Sequence, residues 1–185
     1  MKSSMISNCI ATPVNGDYML DVHDDTLELN KKIMPTFMWW IDEPSVKGSR
    51  NPSDADLREL RAQGFSVAVS LLEESNQPPC YDKQLAFAAG WTIDSIPIAE
   101  NRAPSIEQIH EFMARVSGSP EGTKVLVFCQ SGRGRTACMG AAYWIAKGLT
   151  ASVAIDLMSE RCGDTKWPTP ERCQVLGEYE RSMNR

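Results

Sequence analysis

Apolar positions along this chain follow two alternating patterns. Residues 37–41, 65–72, 91–98 and 125–128 are short runs rich in β-branched and aromatic side chains, the length of strands. Between them, apolar residues recur three and four positions apart. Residues 53–61 read as a helix capped by Ser53, acidic in its first turn and ended at Gly64. Residues 81–89 form a shorter helix, stopped by Gly90. Residues 105–116 place Ile106, Ile109, Met113 and Val116 on one face. From Thr136 the chain runs Ala-Cys-Met-Gly-Ala-Ala-Tyr-Trp-Ile-Ala, apolar on most sides, which predicts a buried helix. Two more helices are expected over about 150–161 and 169–183, the second begun by the Pro168-Thr-Pro170 segment.

Strands alternating with helices predict an α/β fold, with a central, mostly parallel sheet of four to five strands flanked by helices. Gly48-Ser-Arg-Asn-Pro52 reads as a turn. Trp39 and Trp40 fall on opposite faces of the first strand, suited to core or edge positions, and one could wall a pocket. Residues 1–34 carry the weakest pattern. After the Asn15-Gly16 turn, residues 17–25 alternate enough for a short strand, so 1–34 read as an N-terminal extension able to add an edge strand.

Composition narrows the function classes. A chain of 185 residues suits one domain with a full core, and 42% hydrophobic with 23% charged residues is ordinary for a globular protein. A net charge of −5 argues against a nucleic-acid partner. No run of 18 apolar residues predicts a membrane span, and the N-terminus has no apolar core of a signal peptide. The six cysteines are irregularly spaced without a Cys-x-x-Cys, which reads as reduced thiols in a cytoplasm. The two histidines have no metal-ligand spacing. His110 flanks a helix and His23 lies in an acidic, solvated stretch, so a Ser-His-Asp arrangement has little support.

The chemistry concentrates where the 125–128 run meets the buried helix. The joining loop reads Cys129-Gln-Ser-Gly-Arg-Gly-Arg-Thr136, with Gly132 and Gly134 allowing a tight path. A loop entering a helix N-terminus aims backbone N–H groups at one place, and the helix dipole adds positive charge there. A thiolate at Cys129 would attack phosphorus from the base of such an anion cradle. Arg135 would hold two phosphoryl oxygens in its planar fork, and the Thr136 hydroxyl would sit beside the sulfur. Three other readings compete. A Walker A loop is excluded because no Gly-Lys-Ser/Thr follows. Gly132-x-Gly134-x-x-Ala137 matches a dinucleotide fingerprint, with Asp156 roughly 20 residues on. Yet Asp156 sits in a helical pattern with Val153, Ala154, Leu157 and Met158, too little chain remains for a nucleotide domain, and Arg135 would crowd a pyrophosphate. Third, Cys129 could simply be a small buried hydrophobe.

The loop resembles the Cys-x5-Arg-Ser/Thr phosphate loop of cysteine-dependent protein phosphatases, and most of all that of the small atypical dual-specificity group. The order of Pro35-x-x-x-Trp39 strand, Gly48 turn, Val69-Ser-Leu strand, Ile96-Pro-Ile loop, phosphate loop and Ala154-Ile-Asp helix is similar too, over about residues 35–183. The resemblance makes 35–185 a phosphatase catalytic domain. It implies a phosphocysteine intermediate, no cofactor and no metal, and a phosphorylated protein or other phosphomonoester as substrate of a monomeric enzyme. Cys129 is then the nucleophile, Gln130, Ser131, Gly132, Arg133, Gly134 and Arg135 bind phosphate, and Thr136 steadies the sulfur.

The family's general acid is an Asp on the loop after the Ile-Pro strand. Matching Pro97 and Pro104 places Glu100 there, with Asp94 as an alternative set early, within the strand. Relatives also carry a His before the nucleophile where this chain has Phe128. A free cysteine with a pKa of ~8.5 is about 3% thiolate at pH 7, so losing all activation costs at most ~30-fold. Phe128 thus predicts a slower enzyme or a higher pH optimum. Arg133 adds a cation that, in relatives, accompanies highly anionic substrates such as inositol phosphates. Gln174 fits the family's water-positioning Gln poorly, and Cys138 reads as core. The expected activity is hydrolysis of phosphotyrosine, extending to phosphoserine and phosphothreonine in a shallow pocket. The alternatives are a phosphoinositide or small-metabolite phosphatase and a catalytically weak phosphoprotein-binding module.

Overall fold

Lys124–Cys129 forms the middle strand of the sheet, β5, and it is buried on both faces. Its Val-Leu-Val-Phe run suits that place, because a strand covered on both sides needs apolar residues in succession. The computed structural model describes residues 37–163 and 167–183, and the expected extension at 1–34 with its short strand lies outside them. The other strands are β1 (Met38–Asp42), β2 (Val46–Arg50), β3 (Phe65–Ser70) and β4 (Thr92–Ser95), arranged β1-β2-β5-β3-β4. β1 runs antiparallel to β2, and every other pairing is parallel. The expected α/β architecture is the observed one, a five-stranded and mostly parallel sheet among the described residues.

One element differs from expectation. Gly48, Ser49 and Arg50 belong to β2 rather than to a turn, and the chain bends only at Asn51. Gly48 is there for close approach. A Cβ at this position would lie 2.9 Å from the Trp39 indole and 3.0 Å from the Thr136 methyl group. A glycine demanded by packing inside a strand leaves the same local signal as a glycine in a turn.

The helices divide between the two faces. α1 (Asp54–Ala62) and α2 (Lys83–Ala88) cover one face, where Leu57, Leu60 and Ala86 meet Phe65, Ala68, Leu126 and Phe128. Ser53 caps α1 through a capping box with Asp56, and Asp82 caps α2 by accepting from the Gln84 and Leu85 N–H groups. The larger core lies against α3 (Ile106–Ser117), α4 (Gly134–Ala146), α5 (Ala151–Cys162) and α6 (Pro170–Met183). α4 is central. Residues 135–143 are all buried, so its small residues are what let α5 and α6 approach. At Gly140 a Cβ would lie 2.6 Å from the Met158 sulfur.

Asp42 ties the end of β1 to α4. It accepts from Tyr143 Oη at 2.6 Å and from Lys147 Nζ at 2.7 Å. Burial pushes its carboxyl up, but the bonds from Lys147 and Tyr143, with the charges of Lys147 and Arg161, outweigh that and hold it below the usual carboxylate range. A carboxyl with a lower pKa folded than unfolded binds fewer protons when folded. It therefore stabilises above the unfolded value, ~3.9, and the contribution fades as pH falls. Asp42→Asn is expected to lower stability by about 0.5–1 kcal/mol at pH 7, since Lys147 is half exposed. Urea midpoints should show the gap to wild type closing between pH 5 and 3. A gap that stays constant over that range would refute the role.

Candidate active site

Successive residues of β5 face opposite layers. Val125, Val127 and Cys129 enter the larger core, whereas Leu126 and Phe128 enter the smaller one. Phe128 meets Tyr81 edge-on at 6.1 Å. The residue before the thiol thus points to the layer away from it. Cys129 ends the strand and is 1% exposed.

The loop that follows is held at three places. At its start, Asn51 donates from its backbone to the Gln130 carbonyl at 3.4 Å and from Nδ2 to Gln130 Oε1 at 3.2 Å. Asn51 also bonds the Pro78 carbonyl and the Cys80 N–H, which fixes it from behind. In the middle, the Gly132 carbonyl accepts from Trp39 Nε1 at 2.8 Å. Gly132 has φ +73°, and a Cβ there would lie 2.3 Å from the Arg50 nitrogen, so both conformation and space require glycine. At its end the loop becomes α4. Arg133 lies over the Phe37 ring at 4.8 Å, on the exposed side.

Arg135 and Thr136 turn back toward the strand end. Thr136 Oγ1 donates to Cys129 Sγ at 3.1 Å, and the threonine is fully buried. Arg135 is 4% exposed, and its Nη1 donates to the carbonyls of Ile98 at 2.8 Å and Leu71 at 3.2 Å. These carbonyls lie just past the C-terminal ends of β3 and β4, where open α/β sheets place their ligands. Among the described residues, the N–H groups of residues 130–135 donate to no protein acceptor. A helix N-terminus leaves such groups unpaired by its geometry. Unpaired N–H groups, a buried guanidinium and a thiol bonded by a hydroxyl make an arrangement able to hold a tetrahedral oxyanion against sulfur.

Glu100 lies on the next loop, two residues beyond the Ile98 carbonyl that anchors Arg135. Arg102 N–H bonds back to the Ala99 carbonyl at 3.2 Å, and Asn101 takes φ +63°, so Glu100 sits exposed on a tight turn. Asp94 is elsewhere: it lies on β4, within 3.8 Å of Arg115. Gln174 is exposed on α6 and bonds Glu178 at 3.0 Å. Asp156 is on the exposed side of α5, as its helical pattern suggested. Cys138 is fully buried on α4, and burial pushes its thiol up to about 12. His110 is exposed and edge-on to Tyr179 at 5.4 Å.

Three residues shape the loop from a distance; the sequence offered Trp39 only as a core, edge or pocket-wall residue of the first strand, and gave no local signal for Asn51 or Arg172. Trp39 and Asn51 act from β1 and from the bend after β2. Arg172, on α6, occupies the space that a side chain at Gly134 would fill, its guanidinium 2.6–3.0 Å from that Cβ position.

A family model described as "Polymorphic toxin system, DSP-PTPase phosphatase" matches residues 44–149. Among solved structures, Tk-PTP in its active form is 31% identical over 77% of this chain and 95% of its own, with a TM-score of 0.65. PTPMT1 in complex with PI(5)P is 20% identical over 80% of this chain and 96% of its own, with a TM-score of 0.72. Human DUSP28 is 19% identical over 82% and 98%, with a TM-score of 0.66. The last two likenesses bear on the fold alone. No curated protein sequence matches.

Proposed function

The chain belongs to the DSP-PTPase phosphatases of the cysteine-dependent superfamily, and on that footing we propose that it hydrolyses phosphate monoesters, without metal, through a phosphocysteine. The observation that carries the reading is the 3.1 Å bond from Thr136 to Cys129 at the base of a loop whose N–H groups are unpaired and whose Arg135 is buried and anchored. The Cys129 sulfur attacks phosphorus while the ester P–O bond breaks. The leaving oxygen takes the proton of the Glu100 carboxyl. Water then attacks the phosphocysteine and gives a proton to the Glu100 carboxylate. The sulfur departs with the Thr136 hydroxyl donating to it. Loop N–H groups and Arg135 hold the equatorial oxygens throughout, where fixed donors in a dry site act most strongly.

Phosphotyrosine and other aryl phosphates are the substrates proposed, with phosphoserine and phosphothreonine reached where the pocket is shallow. A reducing cytoplasm suits a thiol nucleophile. A second reading, a phosphatase for phosphoinositides or other highly anionic small molecules, is favoured by the extra guanidinium beside Gly134.

The test is turnover in excess EDTA with two aryl esters. Glu100→Gln is expected to slow phenyl phosphate by about 10²-fold, the lower end for general acid catalysis. It should slow p-nitrophenyl phosphate less, because p-nitrophenolate leaves without a proton. Equal losses on both esters would remove Glu100 as the acid. A wild type that binds vanadate yet turns over neither ester would be a phosphoprotein-binding module instead.

A further inference from the structure

Arg172 is 7% exposed, so nine-tenths of it is out of water. Its Nη2 donates to the Arg102 carbonyl at 3.3 Å, a long bond, and its buried Nε has no partner. Among the described residues no carboxylate pairs with it, and neighbouring Glu171 is turned to Arg102 instead. Its position compounds the cost. Gly134 is the first residue of α4, so the guanidinium lies at the end of the helix where the dipole is positive. A buried cation with no counter-charge among the described residues, set against a positive helix end, is unfavourable until an anion arrives.

The phosphoryl group in the cradle does not need this cation. On the proposed reading its three free oxygens would take the N–H groups of residues 130–135 and the Arg135 fork. The donors of Arg172 are surplus to a monoester. They sit one glycine away from it, between the phosphate loop and the turn that carries Glu100.

We propose that Arg172 is a second oxyanion-binding side chain of this site, and that the natural substrate carries another acidic group next to the phosphoester that is cleaved. This rests on the phosphatase reading for what is cleaved, but on Arg172 alone for the second anion. Gly134 is part of the same device, since any side chain there would displace the guanidinium.

Binding of orthophosphate and pyrophosphate tests it by calorimetry, in a Cys129→Ser background so that neither probe is consumed. Pyrophosphate should bind at least about tenfold tighter than orthophosphate. Arg172→Gln should cut that ratio about fivefold or more. Arg172→Lys keeps the charge but loses the fork, and should fall between. Arg115→Gln, which neutralises a half-exposed cation paired with Asp94 and Glu111, should leave the ratio unchanged. The proposal is overturned if the parent binds both probes equally, if Arg172→Gln weakens both in proportion, or if Arg115→Gln has the same effect. Should the glutamine variant fail to fold, an unchanged ratio in Arg172→Lys overturns it. The two readings fail separately. A wild type that does not hydrolyse p-nitrophenyl phosphate but whose Cys129→Ser form keeps the ratio loses the phosphatase and retains the second anion site. Hydrolysis without the ratio does the reverse.

Discussion

Cys129→Ser is expected to take p-nitrophenyl phosphate hydrolysis to background, a loss on the order of 10⁶-fold. The exchange leaves nearly everything else in place. Serine fits where cysteine ends β5, and the Thr136 hydroxyl that donates to Sγ at 3.1 Å can donate to Oγ as well. What disappears is the chemistry. A neutral hydroxyl is a poor nucleophile toward a phosphate dianion, and among the described residues no general base is placed beside it: the proposed role of Glu100 is at the leaving oxygen, opposite the nucleophile, and His110 is against Tyr179. Because the cradle is built from backbone N–H groups and Arg135, orthophosphate should still bind within a few-fold of wild type. Residual turnover above one part in a hundred would mean that another group attacks phosphorus. Loss of phosphate binding along with turnover would mean that the thiol had been holding the loop together.

Arg135→Lys should be the next most damaging change, and for two reasons that separate experimentally. A lysine is a point charge without the fork, so the in-line geometry of the phosphoryl group is lost. Guanidinium contacts to a transferring phosphoryl group are worth ~10³–10⁵ in rate. That loss should appear in kcat/KM. The second reason concerns the fold. Arg135 Nη1 donates to the Leu71 carbonyl, which also accepts from the Ile98 N–H at 3.3 Å, and to the Ile98 carbonyl, which has no other donor among the described residues, so a lysine that misses Ile98 leaves that buried carbonyl unpaired. An unsatisfied buried carbonyl costs about 1–3 kcal/mol, which the urea midpoint would register. A variant as stable as wild type but inactive would assign the residue to phosphate alone. Full activity with lowered stability would make it a strut between the two strand ends.

The loop over residues 129–136 was legible because its candidate chemistry is contiguous. Eight residues carry thiol, glycines, arginine and threonine, and the strand and helix on either side follow from apolar periods that burial demands. Local order was also enough for Ser53 as a helix cap, since capping bonds span three residues. β2 escaped because Gly48, Ser49, Asn51 and Pro52 look like turn chemistry, while the reason for Gly48 lies in Trp39 and Thr136, which both crowd the place its side chain would take. As neighbours of the loop, Trp39, Asn51 and Arg172 escaped for the same reason. Each meets the loop through a contact spanning many residues, such as Trp39 to Gly132 across 93 positions. No window of sequence contains both ends of such a bond. Glu100 was placed by the prolines around it, and the turn it occupies is a property of Asn101 that composition did not announce.

The middle position of β5 has a consequence for a chain still being made. The strand that delivers Cys129 can form only between β2 and β3, both synthesised long before it, and Arg135 needs carbonyls 64 and 37 positions upstream. β1 with β2 and β3 with β4 can pair beforehand, but joining the two pairs through β5 waits on slow loop closure. The cover of α4 comes later still, when Val175, Leu176 and Tyr179 of α6 emerge to close the larger core. A nascent or clipped chain therefore holds a thiol but no finished cradle around it. The packing around this loop is finished all at once, and only when α6 is in place.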